Sequence, residues 1–212
     1  MNLDVKIARS IKDLIGAFEL RYSVFGEELS YIDKTKYPDG REKDDFDDLP
    51  MTTNFVIQKN SETVGTVRLI TELRQKYNIE NYVNIDDLKR DGNINLAEAS
   101  RFCIRKDERF NVRNSHSLCK LIINYALSRN ITDIIILSNS TKSKEGNTIK
   151  YFKNIGFYQF ADEVYYEKFN EYAVPLRLNL NNISEVMMCF LRKRTSYIEK
   201  PYDILEPQLS MC

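Results

Sequence analysis

The 212-residue sequence has no tryptophan, one histidine, 7 glycines and 5 prolines, and its 31 Lys+Arg are matched by 31 Asp+Glu. With His116 alone, a multi-histidine metal site is impossible, and a Ser-His-Asp or Cys-His device would have to be built on that one residue. Cys119 is three residues on, close enough on a helix, but no nucleophile signature surrounds the pair; a structural or phosphate-contacting histidine at a helix start is the alternative. The four cysteines, at 103, 119, 189 and 212, show neither C-x-x-C nor any paired spacing, which argues against a zinc site, a redox dithiol or a secreted disulfide framework. No metal is expected. Zero net charge supplies no bulk positive field for nucleic acid. No apolar run approaches the ~18 residues of a membrane span, and the charged N-terminus lacks the apolar core of a signal peptide. A cytoplasmic protein without integral membrane association is the expectation.

What is present is ordinary globular composition, 42% hydrophobic and 29% charged, enough for one domain with its own core. Ser10 is a helix cap, and Ile11, Leu14, Ile15, Phe18, Tyr22 and Phe25 follow the spacing of one buried face, with Asp13 in the first turn. Residues 31–50 are polar and turn-rich, a loop longer than usual and therefore functional or mobile. Two alternating runs on either side of a turn near residues 60–62 predict a β-hairpin, and residues 95–104 a further strand. A helix follows, with Asn114, Ser115 and Ser117 as alternative caps, then a fully buried strand in DIIILS; strand, helix and strand imply a right-handed βαβ crossover. A short helix ends at Gly156, with strands near 157–160 or 164–168 and over 173–180. The order is α/β with an antiparallel front half and a parallel step in the middle. An amphipathic helix from about 183 to 194 and an extended tail complete the chain.

Two segments could carry chemistry. Glu98-Ala99-Ser100-Arg101-Phe102 sets a carboxylate, a hydroxyl and a guanidinium within five residues of a strand. Alternation sends Glu98 and Ser100 to one face and Arg101 to the other, so a bulge or open cleft is needed if Glu98 and Arg101 share a site; an exposed salt bridge is the alternative. A buried glutamate there can serve as a general base. Charges also sit at Arg21, in the run Asp44-Asp45-Phe46-Asp47-Asp48, and at Arg68. They cancel only if the fold gathers them; otherwise the acidic run is a solvated loop.

Taken together, Arg21-Tyr22-Ser23-Val24-Phe25, the D-x-[YF]-D element at Asp44–Asp47, G-x-x-R-L at Gly65–Leu69 and E-x-S-R-F at Glu98–Phe102 resemble, in order and rough spacing, the autoinducer (acyl-homoserine-lactone) synthases and the related N-acyl amino acid synthases of the GNAT acyltransferase superfamily. Tyr151 to Phe157 is similar to the Y-[FY]-x-x-x-G-F ending of GNAT helices, so the likeness spans about residues 10–180. It implies a GNAT-like domain over residues 1–180, a central mixed sheet flanked by helices, with residues 181–212 adding a C-terminal helix and tail. It further implies a splayed gap between the Glu98 strand and the strand at 133–138, where the pantetheine arm of an acyl thioester lies. Arg21, Asp44, Asp47 and Arg68 are implied beside the acceptor pocket with Phe25, Tyr31, Ser100 and Phe102, and Glu98 and Arg101 near the reacting centre. Autoinducer enzymes generally carry a tryptophan soon after the Phe25 position, where this chain offers Tyr31; that departure and the extra helix favour transfer to an amino acid over homoserine-lactone synthesis from S-adenosylmethionine. A non-catalytic acyl or carrier-binding module is the reading from another class.

The segment Arg105–Asn114, before the helix predicted over 114–130, lacks the glycine-rich loop with which acetyl-CoA enzymes of the superfamily cradle pyrophosphate. The single phosphate of a carrier-bound phosphopantetheine is the easier ligand. Arg101, Arg105, Lys106, Arg109 and Arg113 oppose only Asp107 and Glu108, a local basic surface for an acidic acyl carrier protein, with Arg105, Arg109, Arg113, Asn114 and Ser115 as candidate donor contacts.

Overall fold

A computed structural model describes residues 3–71, 76–139 and 148–183. Strand β1 (Leu3–Ile7) leads into helix α1 (Ile11–Tyr22), whose last turn opens into a π-helical turn over Ser23–Glu28. Strands β2 (Thr52–Lys59) and β3 (Glu62–Thr71) form the expected hairpin; Asn60 and Ser61 at its tip both have positive φ, as a type I′ turn demands. A short helix α2 (Asp86–Arg90) precedes β4 (Leu96–Ile104); then come α3 (Val112–Ser128), β5 (Asp133–Asn139), α4 (Thr148–Ile155), β6 (Tyr158–Gln159), β7 (Val164–Tyr166) and β8 (Glu171–Asn179). One sheet runs in the order β1-β2-β3-β4-β5-β8-β6, with β7 also on β8. Its pairs are antiparallel except the parallel step from β4 to β5. The expected helix beyond residue 183 lies outside the described residues.

Two details differ from the sequence reading. Ser10 does cap α1, its Oγ accepting the Asp13 N–H while Asp13 accepts the Ser10 N–H, but the helix is rolled. Ile11 is 78% exposed and the buried positions are Asp13, Ala17, Leu20 and Arg21. The roll follows from close packing: a Cβ on Gly16 would collide with Thr63 Oγ1, and Ala17 packs on Ala8 and Val56, so the smallest side chains face the sheet. Helix α3 is capped by Asn111 through the Arg113 N–H, not by Asn114, Ser115 or Ser117, all of which lie inside the helix.

The main core lies between the sheet and α3 and α4, where Leu118, Ile122 and Ala126 meet Phe55, Leu69, Ala97 and Ile134. A second cluster on the opposite face joins Leu20, Val24 and Phe25 to Cys103, Tyr166 and Phe169. The segment from Tyr77 to Ile85 forms a third with Ile70, Leu96 and Ile135, and roofs that face of β4. Gly156 ends α4 at φ +111°, and a Cβ there would stand 3.3 Å from Leu178 Cδ1. Gly156→Ala should therefore cost roughly 1–3 kcal/mol. A urea unfolding midpoint that does not move would show that this turn relaxes freely.

Candidate active site

The ladder between β4 and β5 consists of Leu96↔Asp133, Ala97↔Ile134 and Glu98↔Ile135; beyond Glu98 the strands part. The gap opens where β4 is bulged. Thr66 pairs with Cys103 and Arg68 with Ser100, so Val67 alone opposes Arg101 and Phe102, and Arg101 has φ +58°. This is the bulge that alternation required. It turns Arg101 to the α1 face with Glu98 and Ser100, and sends Phe102 to the α3 face, where its ring meets Phe152 at 5.8 Å.

A cavity of about 270 Å³ occupies the gap. Its walls come from both sides of the sheet: Phe25, Tyr31, Cys103 and Phe169 on the α1 side, and Cys119, Ile122, Ile123 and Phe152 on the α3 side. The cavity therefore passes between the strands. Ser100, Arg101, Arg109, Ser115, Ser138, Asn139 and Thr148 are among its polar groups. Phe169 stacks on Tyr31 at 5.6 Å and tilts against Phe25 at 5.0 Å, fixing the aromatic wall.

Beside this opening the separated charges meet. Asp44 and Asp47 flank Phe46 on a 3₁₀ turn, where residues three apart eclipse, so both carboxylates point inward while Asp45 and Asp48 stay exposed. Arg21 donates from Nε to Glu42 Oε2 at 2.5 Å and from Nη1 and Nη2 to the two oxygens of Asp47 at 2.8 Å. Arg68 donates to Asp44 Oδ1 at 2.5 Å and to Ser100 Oγ at 3.1 Å, and lies 3.0 Å from Asp47 Oδ2. Arg101 donates to Glu42 Oε1 at 3.1 Å, Asp44 Oδ2 at 2.6 Å and Tyr166 Oη at 3.3 Å. Burial opposes the charge of Glu42 and Asp44, but the Arg101 charge, joined at Glu42 by Arg21 and at Asp44 by Arg68, outweighs it and holds both carboxyls below their ordinary range. The acidic run is thus half solvated loop and half buried cluster.

Glu98 stands apart from these pairs. It is 1% exposed, beneath the 77–85 segment, and accepts the Ile79 N–H at 3.2 Å. Burial pushes its pKa up to about 7, against the pull of that N–H and of Arg68 and Arg101. It does not line the cavity; Ser100, two residues on and on the same face, does.

The donor candidates separate. Arg109 and Ser115 line the cavity, Arg109 held by two 2.9 Å bonds to Glu28. Arg105 bonds Asp107 and Glu62, and Arg113 is exposed. Asn114 is corrected: it is fully buried and donates to Glu108, so it faces the fold and not a carrier surface. The basic segment is in turn less basic than its composition, because Arg101 and Arg109 are paired with carboxylates of the fold and Arg105 with the exposed Glu62 and Asp107. His116 stacks on Tyr151 at 5.6 Å, and burial pushes the Cys119 thiol up to about 12, opposite to the lowered value a reactive Cys-His pair needs. Sequence reasoning missed Glu42, Lys168, Tyr166 and Phe169. Glu42 had a signal in its place two residues before Asp44; the other three, from the far end of the chain, had none.

Residues 16–179 match the family described as N-acyl amino acid synthase FeeM. The chain belongs to this family. It is an N-acyltransferase. The structure of FeeM, from uncultured soil microbes, is similar with a TM-score of 0.69 at 19% identity, over 86% of this chain and 94% of that one. BjaI, a CoA-dependent acyl-homoserine lactone synthase solved with SAM and isopentyl-CoA, gives 0.68 at 18% over 93% and 92%. An acyl-CoA N-acyltransferase from Pseudomonas aeruginosa gives 0.57 at 14% over 84% and 99%. The fold is thus GNAT-like. No curated protein sequence matches the chain. Among the described residues of this synthase no helix is long and apolar enough to cross a membrane.

The shared carboxylates make the cluster one unit. Arg21→Ala or Asp47→Ala alone should destabilise by about 3–5 kcal/mol, since each strands buried partners, and the double variant should lose far less than the sum. Additive losses in denaturant melts would mean the two charges are independent.

Proposed function

We propose that this synthase moves a fatty acyl group from a phosphopantetheine thioester on an acyl carrier protein to the α-amine of a free amino acid. The observation that carries this reading is the cavity through the sheet: mainly apolar on the α3 side, at Cys119, Ile122, Ile123 and Phe152, and met on the α1 side, at Ser100 and Arg101, by a cluster of charges. An alkyl chain suits the first and a zwitterionic acceptor the second.

The nitrogen must be neutral to attack. Glu98, with a pKa near 7, is suited to take its proton around neutral pH. Because Glu98 lies behind Ser100, the proton travels through one intervening water or hydroxyl. The nitrogen lone pair forms the C–N bond and the C–S bond breaks; of the two protons the ammonium sheds in becoming an amide N–H, one is returned by Glu98 to the departing sulfur and the other leaves to solvent, giving an amide and a thiol. Backbone N–H groups of β4 past Glu98, where the ladder to β5 has ended, are suited to stabilise the oxyanion. The carrier as donor is supported by the glycine-free segment before α3 and by exposed Lys106, Phe110 and Arg113 close to Arg109 and Ser115 of the cavity wall.

Purified enzyme with the dodecanoyl thioester of carrier protein or of CoA and a mixture of amino acids should release N-dodecanoyl amino acid, identified by mass, faster from the carrier. Its kcat/KM should rise with pH through about 7 as Glu98 ionises, above which only the titration of the acceptor amine itself remains. Glu98→Gln should slow transfer by about 10²–10⁴-fold and abolish the inflection near 7. An acyl-homoserine lactone formed from S-adenosylmethionine, or binding without turnover, would replace this reading; an unchanged profile in Glu98→Gln would remove Glu98 from the proton path.

A further inference from the structure

We propose that Lys168 binds the α-carboxylate of the acceptor, and so makes the enzyme select amino acids over amines; this rests on the acceptor reading above. Arg21, Arg68 and Arg101 balance Glu42, Asp44 and Asp47 within the cluster, and Lys168 adds one positive charge at its edge. A surplus cation at the edge of a desolvated cluster is a natural place for an incoming carboxylate to pair.

The place where that partner enters is set by exposure. The side chains of Arg21, Glu42, Asp47, Arg68 and Arg101 are at most 1% exposed, whereas Asp44 is 17% and Lys168 26% exposed. Only the Asp44–Lys168 edge meets solvent. Lys168 lies at this edge beside the cavity: its Nζ donates to Asp44 Oδ2 at 2.8 Å, the same oxygen that accepts from Arg101 Nη2 at 2.6 Å, and Arg101 and the adjoining Phe169 both line the cavity. An ammonium has three donors. Two are directed at Asp44 and at Glu42 Oε1, 3.4 Å away, and the third is available to an incoming carboxylate. An acceptor seated there places its carboxylate at the rim and its nitrogen inward, toward Ser100 and the thioester carbon.

The test uses the twenty amino acids and their α-carboxamides as acceptors with a dodecanoyl thioester. The ratio of kcat/KM for an accepted amino acid to that for its carboxamide should be large in the wild type. It should fall about ten- to a hundredfold in Lys168→Met, the loss of one hydrogen bond to a charged group, chiefly through KM for the acid. Lys168→Arg should restore most of the ratio. If Lys168→Met slows acid and carboxamide by the same factor, or if the wild type does not distinguish them, Lys168 only holds the cluster and the inference is overturned. A wild type that acylates no amino acid at all contradicts the acceptor reading itself. Should Lys168→Met fold poorly, Lys168→Gln, which keeps a polar side chain at the edge without the charge, replaces it: the ratio should fall there as well, and an unchanged ratio overturns the inference.

Discussion

Three arginines from α1, β3 and β4 share three carboxylates from the loop between α1 and β2, and nearly all of that charge is removed from water. Desolvating so many ions is unfavourable by several kcal/mol each and tolerable only when every charge has well-directed partners. The loop, the rolled face of α1 and the β4 bulge are therefore constrained together. Glu42 joins Arg21 to Arg101 and Asp47 joins Arg21 to Arg68, so none of the three elements can move without stranding a charge.

This constraint explains a residue that local preferences would not choose. Arg101 adopts a left-handed backbone conformation, unfavourable for a long side chain, yet the bulge it makes brings its guanidinium to Glu42 and Asp44 and turns Phe102 to the other face. The bulge sits just past Glu98, where β4 parts from β5. The ion cluster and the cavity consequently meet at Ser100 and Arg101, the place where the proposed reaction brings acyl donor and acceptor together.

Much of the architecture was legible from the chain because its signals are local. The hairpin, the α1 cap, the buried β5 and the glycine end of α4 each rest on a few neighbouring residues. The rolled face of α1 was not, since it depends on Gly16 and Ala17 meeting Thr63, Ala8 and Val56 across the fold. Within the site, Arg21, Asp44, Asp47 and Arg68 were legible as motif pieces, and the structure gathers them. The solvated reading of the acidic run holds for Asp45 and Asp48 only. Asn114 misled because a polar residue near a helix start looks like a surface group, whereas its amide is buried against Glu108. Lys168 and Phe169 were invisible because the contacts that matter cross more than a hundred residues of chain.

The central claim is that donor and acceptor meet at the bulge, with the acyl chain passing between β4 and β5. A crystal structure of the enzyme with an N-dodecanoyl amino acid tests it most directly. The expected density runs from an alkyl chain among Ile122, Ile123 and Phe152, through an amide beside Ser100 and Arg101, to a carboxylate on the cluster side of the sheet. A product bound elsewhere, or an alkyl chain lying outside the gap while the strands close, would contradict the account.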